Sequence, residues 1–146
     1  MEAPWVVRLE GGAAAHGRAP NAAQLGGKAA GLAALIDAGL PVPRAFVITT
    51  HTFAHVVAPA VRGLTIASAI ADRVRSLEIS APVRDELAAA LLWLGSGPYA
   101  VRSSATGEDG GTSSYAGQQA SFLGSEDLEG VLRSVRDVWA SVFSDA

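Results

Sequence analysis

At 146 residues the chain is one domain's worth of sequence, long enough to bury about 70% of its unfolded surface. Apolar residues make up 49% and charged residues 17%; net charge is −3 at pH 7 with no basic run, which argues against nucleic acid as a partner. Cysteine is absent, so disulfides and thiolate metal sites are excluded, as suits a cytoplasmic protein. Met1-Glu2-Ala3-Pro4-Trp5 lacks the basic segment and apolar run of a signal peptide. No stretch approaches the ~20 apolar residues of a membrane span, so a cytoplasmic location without membrane contact is expected.

Residues 5–10, centred on Val6-Val7, read as a short strand. A Gly/Ala-rich connection with Pro20 follows over 11–21, expected to be mobile. Residues 27–38 read as a helix with Leu32, Leu35 and Ile36 on one face, Gly39 as its C′ residue and Pro41 beyond. Residues 45–49 form a strand, and Thr50 is the expected N-cap of a short helix ending at Val57. Helical windows cover 64–77 and 82–94, with Pro82 suited to a first turn. A strand over 98–103 carries Arg102, an irregular segment spans 104–118, and 119–123 reads as a strand. Ser125 is the expected cap of a last helix with Glu126, Asp127 and Glu129 in its first turn. Leu128, Val131, Leu132, Val135, Val138, Trp139, Val142 and Phe143 there keep the i, i+3, i+4, i+7 rule.

Two segments carry chemistry suited to phosphate. Tyr99-Ala100-Val101-Arg102-Ser103-Ser104-Ala105-Thr106-Gly107-Glu108-Asp109 brings a forked cation to a strand end and opens a hydroxyl-rich loop. Ser103, Ser104 and Thr106 add hydroxyl donors, and Gly107, Gly110, Gly111 and Gly117 permit close backbone approach. Leu25-Gly26-Gly27-Lys28-Ala29-Ala30-Gly31-Leu32 sets a lysine at the start of a helix, where free N–H groups and the dipole favour anions. Each has a plainer alternative. Lys28 can be a solvated first-turn side chain, and the GxxxxGK[ST] spacing is missing. Arg102 can pair with Glu108 or Asp109; these two can contact a magnesium ion, which needs several oxygen ligands, or stand as solvated loop charges, the expected case. Gln118 and Gln119 can bond a base or ribose, or simply turn the chain into the next strand. His51 and His55 are i, i+4 but lack a third ligand nearby. Trp93 and Trp139 lie on apolar helix faces and are expected in the core.

LGGKAAGL, GLPVPRAFVITT and VRSSATGED…YAGQQASFL, in that order, resemble the nucleotide-binding N-terminal region of phosphoenolpyruvate synthases, shared with pyruvate phosphate dikinases and rifampicin phosphotransferases. The resemblance covers roughly residues 25–143, and its VRSSAT…GQQ segment is the specific part. It implies an α/β (α+β) fold, the first lobe of an ATP-grasp-like module with a small mixed sheet flanked by helices. Residues 1–24 then form an N-terminal strand and connection, and 25–146 the lobe, ending before its second half. Lys28 matches the family lysine on the ATP phosphates, and Arg102 the arginine beside the β- and γ-phosphates. The segment 103–117 matches the flap over them, with Gly117 as its point of close approach; Ser103, Ser104, Thr106 and Gln118 join the nucleotide site. The resemblance also implies magnesium held mainly by residues outside this chain. A second lobe and a swivelling phosphohistidine domain are the implied partners, and the phosphoryl group then passes to pyruvate or an antibiotic hydroxyl.

Two features depart from the family pattern. Gly117-Gln118-Gln119-Ala120-Ser121 stands where the family often reads GQQET, so one carboxylate is absent, and Gly110-Gly111 is expected to make the loop looser. The second half of the ATP site and the phosphohistidine domain are not among these residues. The parent is therefore expected to be an ATP-dependent phosphotransferase, phosphoenolpyruvate synthase-like, and the isolated chain inactive. A rifampicin-type phosphotransferase lobe, or a degenerate module for nucleotide binding or interaction, are the alternatives.

Overall fold

The computed structural model describes residues 4–10, 22–104 and 120–143. The expected connection at 11–21 and the loop with Thr106, Glu108, Asp109, Gly117, Gln118 and Gln119 lie outside them. In chain order the elements are β1 (Val6–Leu9), α1 (Ala22–Leu25), α2 (Gly27–Asp37), β2 (Ala45–Ile48), α3 (Thr50–Val61), α4 (Ala67–Arg75), α5 (Ala81–Leu94), β3 (Tyr99–Arg102), β4 (Ser121–Ser125) and α6 (Leu128–Ser141). The described strands make two antiparallel ladders. β1 pairs with β2, Val6 opposite Ile48, and β3 with β4, Arg102 opposite Ser121. The chain is thus the expected α/β lobe, but its described strands pair in two separate antiparallel ladders where one small mixed sheet was expected.

Helix α6 anchors the larger core. Its apolar stripe buries Val131, Leu132, Val135 and Trp139 against α4 and the β3–β4 ladder, together with Val74, Val83 and Leu87, and Val138 is buried as well. The stripe fails at its end, where Val142, one residue beyond the helix, is 64% exposed. A smaller core of Leu9, Leu25 and Ala29 lies beneath α2, with Val7, Leu32, Ile36 and Val47 packed around it. Among the described residues no helix is long and apolar enough to cross a membrane.

Three local expectations are corrected. The cap of α6 is Asp127, whose carboxylate accepts from the Gly130 N–H at 2.8 Å. Ser125 ends β4, and its hydroxyl meets that of Ser134 at 2.9 Å, so of the acidic trio only Glu129 falls in the first turn. The cap of α3 is Thr49, not Thr50. The Thr49 hydroxyl is buried, accepts from the Thr52 N–H at 3.3 Å and donates to the Pro4 carbonyl at 2.7 Å, while Thr50 starts the helix and donates to Ala23. That helix also runs past Val57 and through Pro59 to Val61. Proline costs it one internal bond, but the extension brings Val61 onto the larger core. Gly39 behaves as expected: at φ +81° it lets its own N–H reach Ile36 O at 3.0 Å and the Leu40 N–H reach Leu35 O at 3.1 Å, a Schellman closure of α2.

Trp139 is in the core, but Trp93 is not. It is half-buried, and its ring faces the guanidinium carbons of Arg44 at 4.6 Å and Arg8 at 5.4 Å. Cation–π contact replaces core packing there.

Candidate functional site

Strand alternation decides which residues β3 presents. Tyr99 and Val101 pack on the larger core, which leaves Ala100 and Arg102 on the exposed side. The ladder extends one residue further, the Ser103 N–H donating to Ala120 O at 3.0 Å. The Ser103 hydroxyl is buried and has no partner among the described residues. A buried hydroxyl without a described partner, next to an exposed arginine, is a donor whose hydrogen bond is not made by the described residues.

Ser104 turns to a different element. Its Oγ accepts from the Ala29 N–H at 2.9 Å, across 75 residues of sequence. Gly26 lies against the same residue: a Cβ at position 26 would stand 1.9 Å from the Ser104 carbonyl oxygen and 2.6 Å from its Oγ. Gly26 also holds φ +81°, a conformation that side chains resist. It is the N-cap residue of α2 and has no side chain to cap with, so Ser104 supplies the missing acceptor to the helix's third residue.

This contact joins the two segments singled out in the sequence. Lys28, exposed on the first turn of α2, sits between the two residues that Ser104 touches, and Arg102 is two residues upstream of Ser104. No acidic residue occupies that first turn, so the helix itself supplies no carboxylate to the positive end of its dipole. Lys28, Arg102, Ser103 and Ser104 therefore fall in one region, whereas Thr106, Gly117 and Gln118 lie outside the described residues. The arrangement can neutralise and orient an anion. One expectation shifts in kind: the Ser104 oxygen already accepts an amide hydrogen, leaving its own proton as the part open to a ligand. The residues missed in the sequence are Gly26 and Ala29. A helix that starts Gly-Gly-Lys, without Ser, Thr, Asp or Asn at the cap, was the available signal that a cap comes from elsewhere.

Trp5 stacks on His51 with centroids 5.0 Å apart and meets His55 at 4.7 Å, so these histidines form an aromatic cluster. Among the described residues no three His, Cys, Asp or Glu gather to hold a metal ion. Those residues do not by themselves fit a magnesium site, which needs several oxygen ligands.

Residues 22–146 match the family described as pyruvate phosphate dikinase, AMP/ATP-binding domain. The chain is 40% identical over 127 residues to the prodigiosin synthesizing transferase PigC of Serratia marcescens, covering 84% of this chain and 14% of that protein. It is 36% identical over 148 residues to a rifampicin phosphotransferase of Streptomyces sp, covering 87% and 17%. It is 32% identical over 145 residues to the phosphoenolpyruvate synthase of Aeropyrum pernix, covering 82% and 18%. The chain thus spans between 14% and 18% of the length of these relatives.

Proposed function

This chain belongs to the pyruvate phosphate dikinase AMP/ATP-binding domain family, and from that premise we propose that it holds the phosphates of ATP for transfer within a larger dikinase-type phosphotransferase. The observation that carries the reading is the contact of Ser104 with Gly26 and Ala29, which gathers Lys28 and Arg102 at one edge of the lobe. Phosphoryl transfer needs little covalent help from protein; it needs positioning and neutralisation of charge on the transferring group. Arg102 supplies a planar fork for two phosphate oxygens, Lys28 a point charge, and the orphaned Ser103 hydroxyl a neutral donor. Thr106, Gly117 and Gln118 complete the phosphate side in this reading. Magnesium ligands, the second lobe and a phosphohistidine domain belong to the rest of the parent enzyme, which works in the cytoplasm. The names of the relatives share a transferase or synthase activity and differ in what is acted on. The acceptor is accordingly chosen outside this lobe.

Arg102→Ala in the full-length parent is expected to lower turnover about a hundredfold, the size typical of a lost transition-state donor. Lys28→Arg keeps the charge and is expected to cost less. Steady-state kinetics on both variants, with folding checked by circular dichroism, decide it; unchanged turnover in folded Arg102→Ala removes the arginine from the mechanism.

A further inference from the structure

We infer that Ser104 is a positioning residue: its hydroxyl caps α2 from a distant part of the chain and so holds Lys28 in register with Arg102. The inference rests on the ATP-phosphate reading above and deepens it.

Helix α2 is poorly equipped to hold its own position. Its cap residue, Gly26, has no side chain, and only Gly27 and Ala29 are buried along its 11 residues. The bond from the Ala29 N–H to Ser104 Oγ closes one of the helix's open donors. The Gly26 contact fixes how near the helix start comes to the strand exit, because any Cβ there would overlap the Ser104 carbonyl. Both constraints act on the same turn, and Lys28 lies between them. On the other side, the Ser103 N–H bond to Ala120 extends the β3–β4 ladder to the residue before Ser104. Among the described residues the frame that presents Arg102 thus reaches the first turn of α2 through Ser104.

The two neighbouring serines separate by this geometry. Ser103 has a buried hydroxyl without a described partner, whereas Ser104 spends a lone pair on the helix. Ser104 therefore affects ATP chiefly through Lys28, and its effect and that of Lys28 overlap instead of multiplying.

The test uses the full-length protein with Ser104→Ala, Ser104→Cys, Ser104→Thr, Lys28→Ala and the Ser104→Ala/Lys28→Ala pair. Ser104→Ala is expected to speed exchange of the Ala29 amide about five- to tenfold, the scale of a lost cap. Ser104→Thr restores slow exchange, and Ser104→Cys, a weak acceptor of similar size, falls between. The ATP dissociation constant is expected to rise in Ser104→Ala and in Lys28→Ala, and in the double variant to match the larger single effect. Multiplying effects mean that Ser104 meets ATP on its own account, and unchanged Ala29 exchange in Ser104→Ala means that the cap is not formed; either result overturns the inference. An unchanged ATP constant in Lys28→Ala sinks the phosphate reading, and with it the role of Ser104 in binding, yet the cap remains visible in the exchange of Ala29. Should Ser104→Ala fail to fold, Ser104→Cys carries the same comparison.

Discussion

Helices α6 and α2 are similar in length but anchored very differently. α6 buries seven residues, Val131, Leu132, Ser134, Val135, Val138, Trp139 and Ala140, and closes its own first turn with Asp127. α2 buries two small residues and borrows its cap from Ser104. Helical stability in a folded protein comes mostly from the buried face, so the two helices belong to regions of unequal stiffness. Arg102 stands on the stiff side, on a strand packed against α6, and Lys28 on the soft side. If the proposed phosphate role holds, one of its two cations is fixed and the placement of the other depends on a few contacts.

Leu132→Ala and Leu25→Ala break the comparison most directly, since both leucines are almost wholly buried, one in each core. Leu132→Ala is expected to cost toward ~5 kcal/mol, because the larger core around it cannot collapse into the gap. Leu25→Ala is expected nearer ~2 kcal/mol, because its small core is ringed by half-buried side chains free to shift. Denaturant unfolding of both variants measures the gap. Equal losses would mean that the smaller core is as tightly bound into the fold as the larger one.

How much of this was legible follows the same division. The α6 stripe was readable from end to end apart from Val142, because a helix laid on a core must carry the 3.6-residue period. Its cap was misplaced from Asp127 to Ser125 because a serine and an aspartate both qualify, and only pairing with β3 decides where β4 ends. Thr49 and Thr50 pose the same choice, settled by the Pro4 carbonyl coming within reach of Thr49. Trp93 was misassigned because an apolar face at a helix end need not meet the core; its neighbour Leu92 is 85% exposed. That Lys28 and Arg102 suit an anion is legible in a lysine at a helix start and an arginine at a strand end, and their assignment to ATP phosphates is what the family resemblance implies. Their joining through Ser104 was not legible, since it is a contact between residues far apart in sequence.

Asp127→Ala and Gly26→Ala sharpen the contrast at a smaller scale. Losing the Asp127 carboxylate is expected to cost about 1 kcal/mol. Because α6 spans the main core, that loss should appear as a lower midpoint for the whole unfolding transition. Gly26→Ala forces a Cβ into the Ser104 carbonyl and a side chain onto a positive φ, and about 1 kcal/mol or more of strain results. Here the expected response is local: faster amide exchange in α2, with little change in α6. Exchange that rises equally in both helices would show one cooperative unit and remove the distinction between them.

The smallest expected effect tests whether surface charge contributes to the stiffness of α6. Arg84 on α5 and Glu129 on the first turn of α6 form an ion pair, with side chains 40% and 60% exposed. A pair so open to water gains little Coulomb energy, loses side-chain entropy and is screened by salt. Arg84→Ala is therefore expected to cost no more than about 0.5 kcal/mol, and less as salt is raised. Glu129 keeps its favourable place near the helix N-terminus in that variant, which limits the loss further. Thermal melts at low and high salt measure it. A loss above about 1 kcal/mol, well outside the usual range for exposed pairs, would mean that α6 docks on α5 through charge as much as through its buried face, and the side of the lobe that carries Arg102 would then soften with ionic strength.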